Sequence, residues 1–332
     1  MDRMNPAERM PVGKTKLTVT RLGLGGAGLG NLYRAISDDQ AHETVRRALE
    51  LGVRYIDTAP LYGSGLSESR IGKAIRDFPK SELTVSTKVG RLLRPKTKEI
   101  EQFVNVPPLE PYFDYSRKGV LESYQKSLER LGLSRADILL IHDAEEHLEW
   151  AIEESYPVLK ELRLRTEVTA IGTGIDDWRK ELLLAKRCQI DCLLLVGRYT
   201  LLIQEALKEF LPYCEKNGIS VIVGGPFNSG ILASNLDSGE DFTFDYKPAS
   251  DDILLKARKI KSICDHYGVP IKAAALQFIL AHPAVISVIP GSRSPEEITE
   301  NFEMIKIEIP DGFWEKLKSG GLIERDSPTP LA

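Results

Sequence analysis

Residues 138–173 read ILLIHDAEEHLEWAIEESYPVLKELRLRTEVTAIGT and contain two short apolar runs with a helical pattern between them. The runs extend from Ile138 to His142 and from Val168 to Thr173. From Trp150 to Leu164, apolar residues recur at spacings of three and four, as on one face of an α-helix. A strand, a helix and a second strand in this order predict two parallel strands joined by a helical crossover.

The same alternation extends along the whole chain. The eight predicted strands are Leu22 to Gly25, Tyr55 to Thr58, Leu83 to Lys88, Ile138 to His142, Val168 to Thr173, Cys192 to Val196, Ser220 to Val223 and Ile286 to Ile289. Further helices are predicted at Asp38 to Leu51, Lys118 to Leu131, Arg179 to Arg187, Ile203 to Lys216 and Asp251 to Tyr267. Eight repeats without a break in composition predict one domain over residues 1–332, an α/β fold of the (β/α)8 TIM barrel type.

An open, doubly wound sheet is the alternative fold. The glycine-rich run from Gly23 to Gly30 resembles a nucleotide-binding loop, but the residues after it do not begin a clear helix. The run is therefore a poor Rossmann signal, and the closed barrel is favoured.

Two segments stand outside the repeats. Pro11 to Arg21 alternates polar and apolar residues around Gly13 and Lys14, which predicts an N-terminal β-hairpin that covers the barrel floor. Arg91 to Tyr115 is rich in proline and aromatic residues and has no helical period. We expect a long irregular insertion there, on the active face of the barrel, as a candidate substrate lid.

Composition excludes several classes of function. The 332 residues include 44 Lys and Arg against 48 Asp and Glu, so a net charge of −4 provides no basic surface for nucleic acid or anionic lipid. The four cysteines show neither CxxC pairs nor metal-binding spacing, and no apolar run approaches the length of a membrane span. We expect a cytoplasmic monomer or small homo-oligomer that acts on a small molecule without a metal.

Four polar residues are predicted to meet at the rim of the barrel. Asp57, Lys88 and His142 end predicted strands, and Tyr62 follows in the loop after Asp57. Barrel enzymes carry their chemistry at this end of the strands. A buried Lys88 needs an anion, for which Asp57 is suited, and an adjacent ammonium should lower the pKa of the Tyr62 phenol. Taken alone, Tyr62 could be a loop aromatic, His142 a hydrogen-bonded core imidazole and Asp57 a helix cap, whereas Lys88 is the hardest of the four to explain structurally.

Four motifs, in a fixed order along the chain, carry a resemblance to a known protein family. They are Asp57 to Gly63, Ser86 to Gly90, Leu139 to Asp143, and Ile289 to Ser292, the last followed by Glu300 and Asn301. The sequence resembles the aldo-keto reductase family, and within it the branch of sugar and pyridoxal dehydrogenases. The resemblance implies a nicotinamide cofactor held without a Rossmann fold and transfer of the 4-pro-R hydride.

The resemblance also assigns roles to residues. It implies that Tyr62 is the acid/base, that Lys88 lowers its pKa, that Asp57 holds Lys88 and that His142 orients the substrate oxygen. The cofactor-binding residues that it implies are Gly26, Asp57, Thr173, Arg198, Tyr199, Gly225, Pro226, Phe227, Asn228, Ser229, Gly230, Gly291, Ser292, Arg293, Glu297, Glu300 and Asn301.

Some positions depart from the common family pattern. Thr173 and Gly174 replace the usual Ser-Asn pair, Val196 replaces a glutamine, and Gly224 replaces the tyrosine that stacks on nicotinamide. Thr173, Arg198 and Tyr199 are the expected substitutes. Residues 225–230 are expected to wrap the pyrophosphate with backbone amides, although an ordinary tight loop has the same composition.

The residues near the expected adenosine end favour NAD over NADP. Where NADP-preferring members carry a lysine and an arginine, this chain has Gly291 and Glu297. A carboxylate repels a 2′-phosphate but accepts a hydrogen bond from a ribose hydroxyl. Glu297 also fits a capping box that begins at Ser294, and Arg293 keeps NADP open as the alternative.

The resemblance implies oxidation of the anomeric hydroxyl of an aldose, such as L-fucose or L-galactose, to the lactone. Two alternatives use the same site, an NADPH-dependent aldehyde or ketone reductase and a pyridoxal 4-dehydrogenase. An alternative of another class is a nicotinamide-sensing regulatory subunit with a retained barrel.

Overall fold

A computed structural model describes residues 4–97, 102–236, 241–245 and 247–330. Its strands are β1 Arg9–Pro11, β2 Thr18–Thr20, β3 Leu24–Gly25, β4 Tyr55–Asp57, β5 Thr84–Val89, β6 Arg91–Pro95, β7 Leu109–Phe113, β8 Ile138–His142, β9 Ala170–Ile175, β10 Cys192–Val196, β11 Ser220–Gly224, β12 Thr243–Phe244, β13 Lys247–Pro248 and β14 Val285–Ile289. Its α-helices are α1 Asp38–Glu50, α2 Leu66–Ala74, α3 Arg117–Leu131, α4 Leu148–Trp150, α5 Tyr156–Leu164, α6 Trp178–Arg187, α7 Phe210–Asn217, α8 Asp251–Tyr267, α9 Ile271–Leu280, α10 Pro295–Lys306 and α11 Asp311–Ser319. None of the helices in these ranges has the length and apolar character needed to cross a membrane.

Eight strands form one parallel sheet in the order β3, β4, β5, β8, β9, β10, β11, β14. Parallel bridges between Leu22 and Val288 and between Gly25 and Gly291 join the last strand to the first. The sheet therefore closes on itself, and helices lie on its outside. The predicted (β/α)8 barrel is confirmed, and each of its eight strands overlaps a predicted one.

Helices begin and end where the sequence carries cap residues. Ser116 accepts a hydrogen bond from the amide of Gly119 at the start of α3, and Ser250 caps α8 in the same way. Gly132 and Gly268 adopt left-handed conformations (φ of 63° and 66°) at the ends of these helices, where residues with a Cβ are disfavoured. The bounds of both helices agree with the prediction to within one residue.

The helix predicted from Ile203 to Lys216 is wrong in its first half, because α7 begins only at Phe210. The Thr200 hydroxyl accepts a hydrogen bond from the amide of Ile203. The Gln204 side chain donates to the carbonyl groups of Thr200 and Leu201. These side-chain hydrogen bonds satisfy backbone groups in turns, and the turns take the place of the helix that the apolar spacing predicts.

The insertion after β5 is also more regular than expected. Strands β6 and β7 form an antiparallel ribbon in which Arg91 pairs with Phe113 and Pro95 with Leu109. The side chain of the buried Glu110 accepts hydrogen bonds within the ribbon. These bonds hold the ribbon together near one of its ends. Part of the candidate lid, residues 98–101, lies outside the described residues.

The N-terminal hairpin lies under the barrel, as predicted. Strands β1 and β2 are antiparallel, and the buried Val12 and Val19 pack into the interior cluster of the barrel. The amide of Gly13 donates to the Ser220 hydroxyl (2.8 Å), and Ser220 is the first residue of β11. Because the hairpin closes the amino ends of the strands, the carboxyl ends are left for the functional site.

The contact between β9 and β10 leaves no space for a side chain at Gly172. A Cβ there would lie 1.8 Å from the carbonyl oxygen of Cys192, whereas a Cβ at Gly174 would meet only Leu194 side-chain atoms, at 3.4 Å and beyond. We expect Gly172→Ala to lower the free energy of unfolding by about 3 kcal/mol or more, and Gly174→Ala by less than about 1 kcal/mol. Urea denaturation of both variants measures this difference, and equal losses would contradict the packing argument.

Candidate active site

The ammonium group of Lys88 joins three groups at the carboxyl ends of β4 and β5. Its Nζ donates to Asp57 Oδ2 (2.6 Å), to the carbonyl oxygen of Thr58 (2.9 Å) and to the Tyr62 hydroxyl (3.2 Å). Lys88 and Asp57 are 0% and 1% exposed. A charge buried this deeply must be paired, and here both the salt bridge and the hydrogen bonds are in place.

Close backbone packing positions Tyr62. A Cβ on Gly30 would lie 2.6 Å from the carbonyl carbon of Tyr62, so only glycine allows this approach. The Phe103 ring, from the far end of the ribbon insertion, stacks on the Tyr62 ring at 6.4 Å between centroids. These contacts hold the phenol against Lys88, whose Nζ lies 4.6 Å from the centre of the tyrosine ring.

The surroundings of Tyr62 raise the pKa of its phenol well above the usual value of 10. Burial is the largest cause, and the carboxylates of Asp57, Asp143 and Asp176 add to it. This direction is opposite to the one expected from the Lys88 neighbour. The reason is that burial of the phenol dominates, and the charge of Lys88 is balanced by Asp57. Tyr62 is therefore a neutral phenol at ordinary pH.

His142 is held as a neutral imidazole beside Tyr62. Burial, followed by the charges of Lys88 and Arg91, lowers its pKa well below the usual 6.5. Its ring is edge-on to the Tyr62 ring at 5.9 Å, and the Tyr115 hydroxyl donates to its carbonyl oxygen (2.6 Å). A neutral imidazole keeps one N–H, which can donate to a substrate oxygen without bringing a charge.

Tyr62, Lys88 and His142 line a polar pocket of about 670 Å³. Its walls contain charged and aromatic residues that the sequence analysis did not assign to the site: Arg91, Gln102, Asp143, Glu145, Asp176, Asp177, Trp178, Arg179 and Glu205. The sequence contained a signal for two of them. Asp143 and Asp176 directly follow β8 and β9, and residues in this position lie at the carboxyl-end rim of the barrel.

A second cavity, a groove of about 490 Å³, meets this pocket at Tyr62. The two share the wall formed by Leu61, Tyr62, Gln102, Leu194 and Val196. The groove contains most of the predicted cofactor-binding residues, namely Gly26, Asp57, Gly225, Pro226, Phe227, Asn228, Ser229, Gly230, Gly291, Arg293, Glu297, Glu300 and Asn301. Groove residues absent from the prediction include Ala27, Gly28, Tyr33, Phe103 and Lys272.

Thr173 and Tyr199, two of the expected substitutes, lie away from the groove. Residues along a strand alternate between its two faces, and Thr173 points to the helix layer, where it donates to the buried Glu181 (3.1 Å). Tyr199 is fully buried and stacks on Phe278, with 5.2 Å between ring centroids.

Arg198 and Ser292 also differ from the expected placement. Arg198 lines the polar pocket instead of the groove. Its side chain donates to the backbone carbonyl of Asp176 and pairs with Asp245 (2.6 Å). Ser292 is fully buried beneath the groove, where its hydroxyl accepts a hydrogen bond from Asn301 (3.2 Å). Its side chain therefore supports a groove residue.

The groove fits an extended polar ligand. Asn228 is 4% exposed, and its Oδ1 has no hydrogen-bond partner within the described residues. A buried acceptor without a partner is rare and is satisfied when a ligand donates to it. Gly225 and Gly230 have φ angles of 60° and 94°, which bring bare backbone to the groove surface. These features suit a dinucleotide.

Comparison with known proteins agrees with this geometry. The family model described as the aldo/keto reductase family matches residues 21–320. The chain belongs to the aldo/keto reductase family. Members of this family are oxidoreductases that use nicotinamide cofactors.

Two relatives are similar over nearly their whole length. The chain is 38% identical to a pyridoxal 4-dehydrogenase of Microbacterium luteolum, over 96% of this chain and 99% of the relative. It is also 38% identical to a D-threo-aldose 1-dehydrogenase of Pseudomonas sp., over 95% and 96%. A solved aldo-keto reductase structure from Bacillus halodurans has a TM-score of 0.77 at 23% identity and covers 96% of each chain, which supports the fold.

The raised pKa of Tyr62 can be tested in the free aldo-keto reductase. We expect the Cζ resonance of Tyr62, in protein with ¹³C-labelled tyrosine, to keep its neutral chemical shift up to about pH 10 because burial and three carboxylates oppose ionisation. The Tyr62→Phe spectrum identifies the resonance. A titration midpoint below about pH 9 would restore the expectation that Lys88 dominates.

Proposed function

We propose that this aldo-keto reductase is an NAD-dependent dehydrogenase that oxidises C1 of an aldose in its cyclic hemiacetal form to the lactone. The observation that supports the proposal is the hydrogen-bonded set of Tyr62, Lys88 and Asp57 at the junction of a polar pocket and a dinucleotide-sized groove. In this reaction C1 loses a hydride, the anomeric hydroxyl loses a proton, and the C1–O bond becomes a carbonyl.

Tyr62 receives the hydroxyl proton in the proposed oxidation. It must be ionised to do so, and its raised pKa makes the phenolate scarce at neutral pH in the free protein. When bound, an oxidised nicotinamide would supply the hydride acceptor and a positive charge. The Nζ of Lys88, 3.2 Å from the hydroxyl, donates to the phenolate as it forms. Oxidation is therefore expected to accelerate as pH rises.

His142 positions the reacting oxygen in this proposal. The lowered pKa of His142 keeps its imidazole neutral. His142 therefore adds no positive charge that would attract a ligand with a carboxylate to the pocket. The same ring lines the pocket beside Tyr62, within reach of an oxygen that contacts the phenol. One N–H is enough to orient that oxygen toward the Tyr62 hydroxyl.

The names of the two relatives support a hemiacetal substrate. D-threo-aldoses are cyclic hemiacetals, and pyridoxal closes to an internal hemiacetal through its own hydroxymethyl group. Oxidation of either ring form gives a lactone by the same hydride and proton transfers. Pyridoxal is the second candidate because its dehydrogenase is equally identical to this chain. The charged pocket walls favour the aldose, which offers more hydroxyl groups to them.

The charges at the far end of the groove support NAD as the cofactor. Glu297 accepts a hydrogen bond from the amide of Arg293 (2.8 Å) and its other oxygen lies 3.4 Å from the guanidinium. Lys272 is paired with Glu300 at 2.7 Å. Both cations of the groove are thus paired with carboxylates, which leaves little positive charge for a 2′-phosphate and allows Glu297 to accept from a ribose hydroxyl.

The substrate proposal predicts a pattern of activity. With NAD, we expect NADH formation at 340 nm with L-fucose, L-galactose or D-arabinose at a higher kcat/KM than with pyridoxal. Tyr62→Phe should lower kcat by about 10²-fold to 10⁴-fold because it removes the phenol oxygen that accepts the proton, with the Kd for NADH nearly unchanged. Tyr112→Phe, which removes a hydroxyl on the ribbon outside both cavities, is the matched control.

Two results would contradict the proposal. Strong NADPH-dependent carbonyl reduction with no sugar oxidation would assign the protein to the reductases instead. Full activity in Tyr62→Phe would exclude Tyr62 as the acid/base.

The cofactor proposal predicts a change in preference at one residue. Glu297→Gln should raise kcat/KM with NADP relative to NAD by about tenfold, because it frees Arg293 to pair with the 2′-phosphate. Glu296→Gln removes the same charge one residue earlier on α10, outside the groove, and should change the ratio less than about twofold. Equal effects of the two variants would show that Glu297 acts only through net charge.

A further inference from the structure

The wall of the polar pocket contains several carboxylates, most of which already have partners within the protein. Asp143 is paired with the Arg91 guanidinium at 2.6 Å. Asp177 caps α6 by accepting hydrogen bonds from two backbone amides of its first turn. Glu145 accepts from the backbone amide of Asp176 at 2.5 Å. These three side chains are therefore held in place by the protein itself.

The carboxylate of Asp176 differs from these three, and it is half-buried, whereas Glu205, the other pocket carboxylate without a partner among the described residues, is exposed. Within the part of the chain that the structure describes, it has neither a hydrogen bond nor an ion pair, although Asp176 lines the pocket. Arg198 donates to the backbone carbonyl of Asp176 and directs its charge to Asp245 instead. Both carboxylate oxygens of Asp176 thus remain available to a ligand in the pocket.

Two buried donors or acceptors in the same wall also lack partners. His142 and Trp178 are each 5% exposed, and His142 Nδ1 and Trp178 Nε1 make no hydrogen bond to the described residues. Both side chains line the pocket. Buried polar atoms without partners are uncommon in folded proteins. Together with Asp176, they indicate that the natural occupant of the pocket carries several hydroxyl groups.

We propose that the Asp176 carboxylate binds two neighbouring hydroxyl groups of the sugar, remote from C1, and so selects polyhydroxylated aldoses over substrates without such a diol. This inference rests on the proposed function and extends it to a substrate-selecting residue. A carboxylate has two acceptor oxygens, which match the two donors of a vicinal diol. Tyr62 and His142, which act on C1 in the proposed reaction, line the same pocket.

Kinetics of paired variants test the role of Asp176. Asp176→Asn should lower kcat/KM for L-fucose and L-galactose by about tenfold to hundredfold, mainly through KM, because charge-assisted hydrogen bonds to the sugar are lost. Asp251→Asn makes the same change at an exposed residue of α8 that lines neither cavity, so it should lower kcat/KM less than about threefold. Equal losses in the two variants would overturn the proposal.

The pH dependence of binding gives a second readout. Burial and the charges of Asp143 and Glu145 raise the pKa of Asp176 to about 7, whereas Arg198 opposes this shift and Asp245 adds to it. Tyr62 and His142 face the same pocket, and both are neutral near this pH. Sugar affinity of the wild-type protein should therefore increase as pH rises through about 7, since ionised Asp176 is the stronger acceptor. This dependence should be absent in Asp176→Asn.

Direct binding separates this inference from the proposed function. The probe is 1,5-anhydro-L-fucitol, which keeps the ring diols but has no anomeric hydroxyl to oxidise, titrated calorimetrically into protein saturated with NADH. We expect Asp176→Asn to raise its Kd about tenfold or more, while fluorescence of bound NADH shows that the variant is folded. If the wild-type protein oxidises no aldose yet shows this loss, the proposed function fails and the diol site stands. Equal Kd values, or no binding to the wild-type protein, would overturn the diol site.

Discussion

The buried ion pair between Lys88 and Asp57 is the interaction on which the rest of the site depends. It joins the carboxyl ends of β4 and β5 at 2.6 Å, with almost no exposure of either side chain. Removing one partner of such a pair leaves an uncompensated buried charge and costs about 3–5 kcal/mol. The pair also directs one N–H of Lys88 to the Tyr62 hydroxyl, so the stability of the barrel rim and the placement of the proposed acid/base depend on one set of contacts.

The same pairing explains why Tyr62 is not activated by Lys88 alone. Burial raises the pKa of the phenol most, the charge of Lys88 is balanced by Asp57, and the carboxylates of Asp143 and Asp176 raise this pKa further. The free protein therefore holds a neutral phenol beside a neutral imidazole. This state suits proton donation to a carbonyl oxygen. The proposed oxidation requires additional positive charge near the phenol, and an oxidised nicotinamide bound in the groove would supply it.

The sequence predicted the barrel well because each barrel strand is a short apolar run bounded by turn residues, and the four rim residues stand at or near the ends of such runs. Prediction failed where side chains compete with the backbone or where residues distant in sequence meet. Thr200 and Gln204 replace the start of a helix with turns. Thr173 was expected in the groove, but strand alternation places it on the opposite face. The pKa of Tyr62 depends on Asp143 and Asp176, which follow two later strands and were not assigned to the site.

The two cavities differ in whether their polar and charged side chains already have partners within the protein. This difference favours different kinds of ligand in the groove and in the pocket. In the groove, Arg293 and Lys272 are paired with carboxylates, and the glycine backbone supplies much of the surface. Such a surface binds a ligand through shape and neutral hydrogen bonds, which suits a cofactor that must be released after each turnover. In the pocket, Asp176 and Trp178 keep unused hydrogen-bonding capacity in a partly buried wall. A ligand without hydroxyl groups would leave these atoms desolvated and unpaired, so the proposed diol site disfavours such a ligand through the hydrogen bonds that it fails to make.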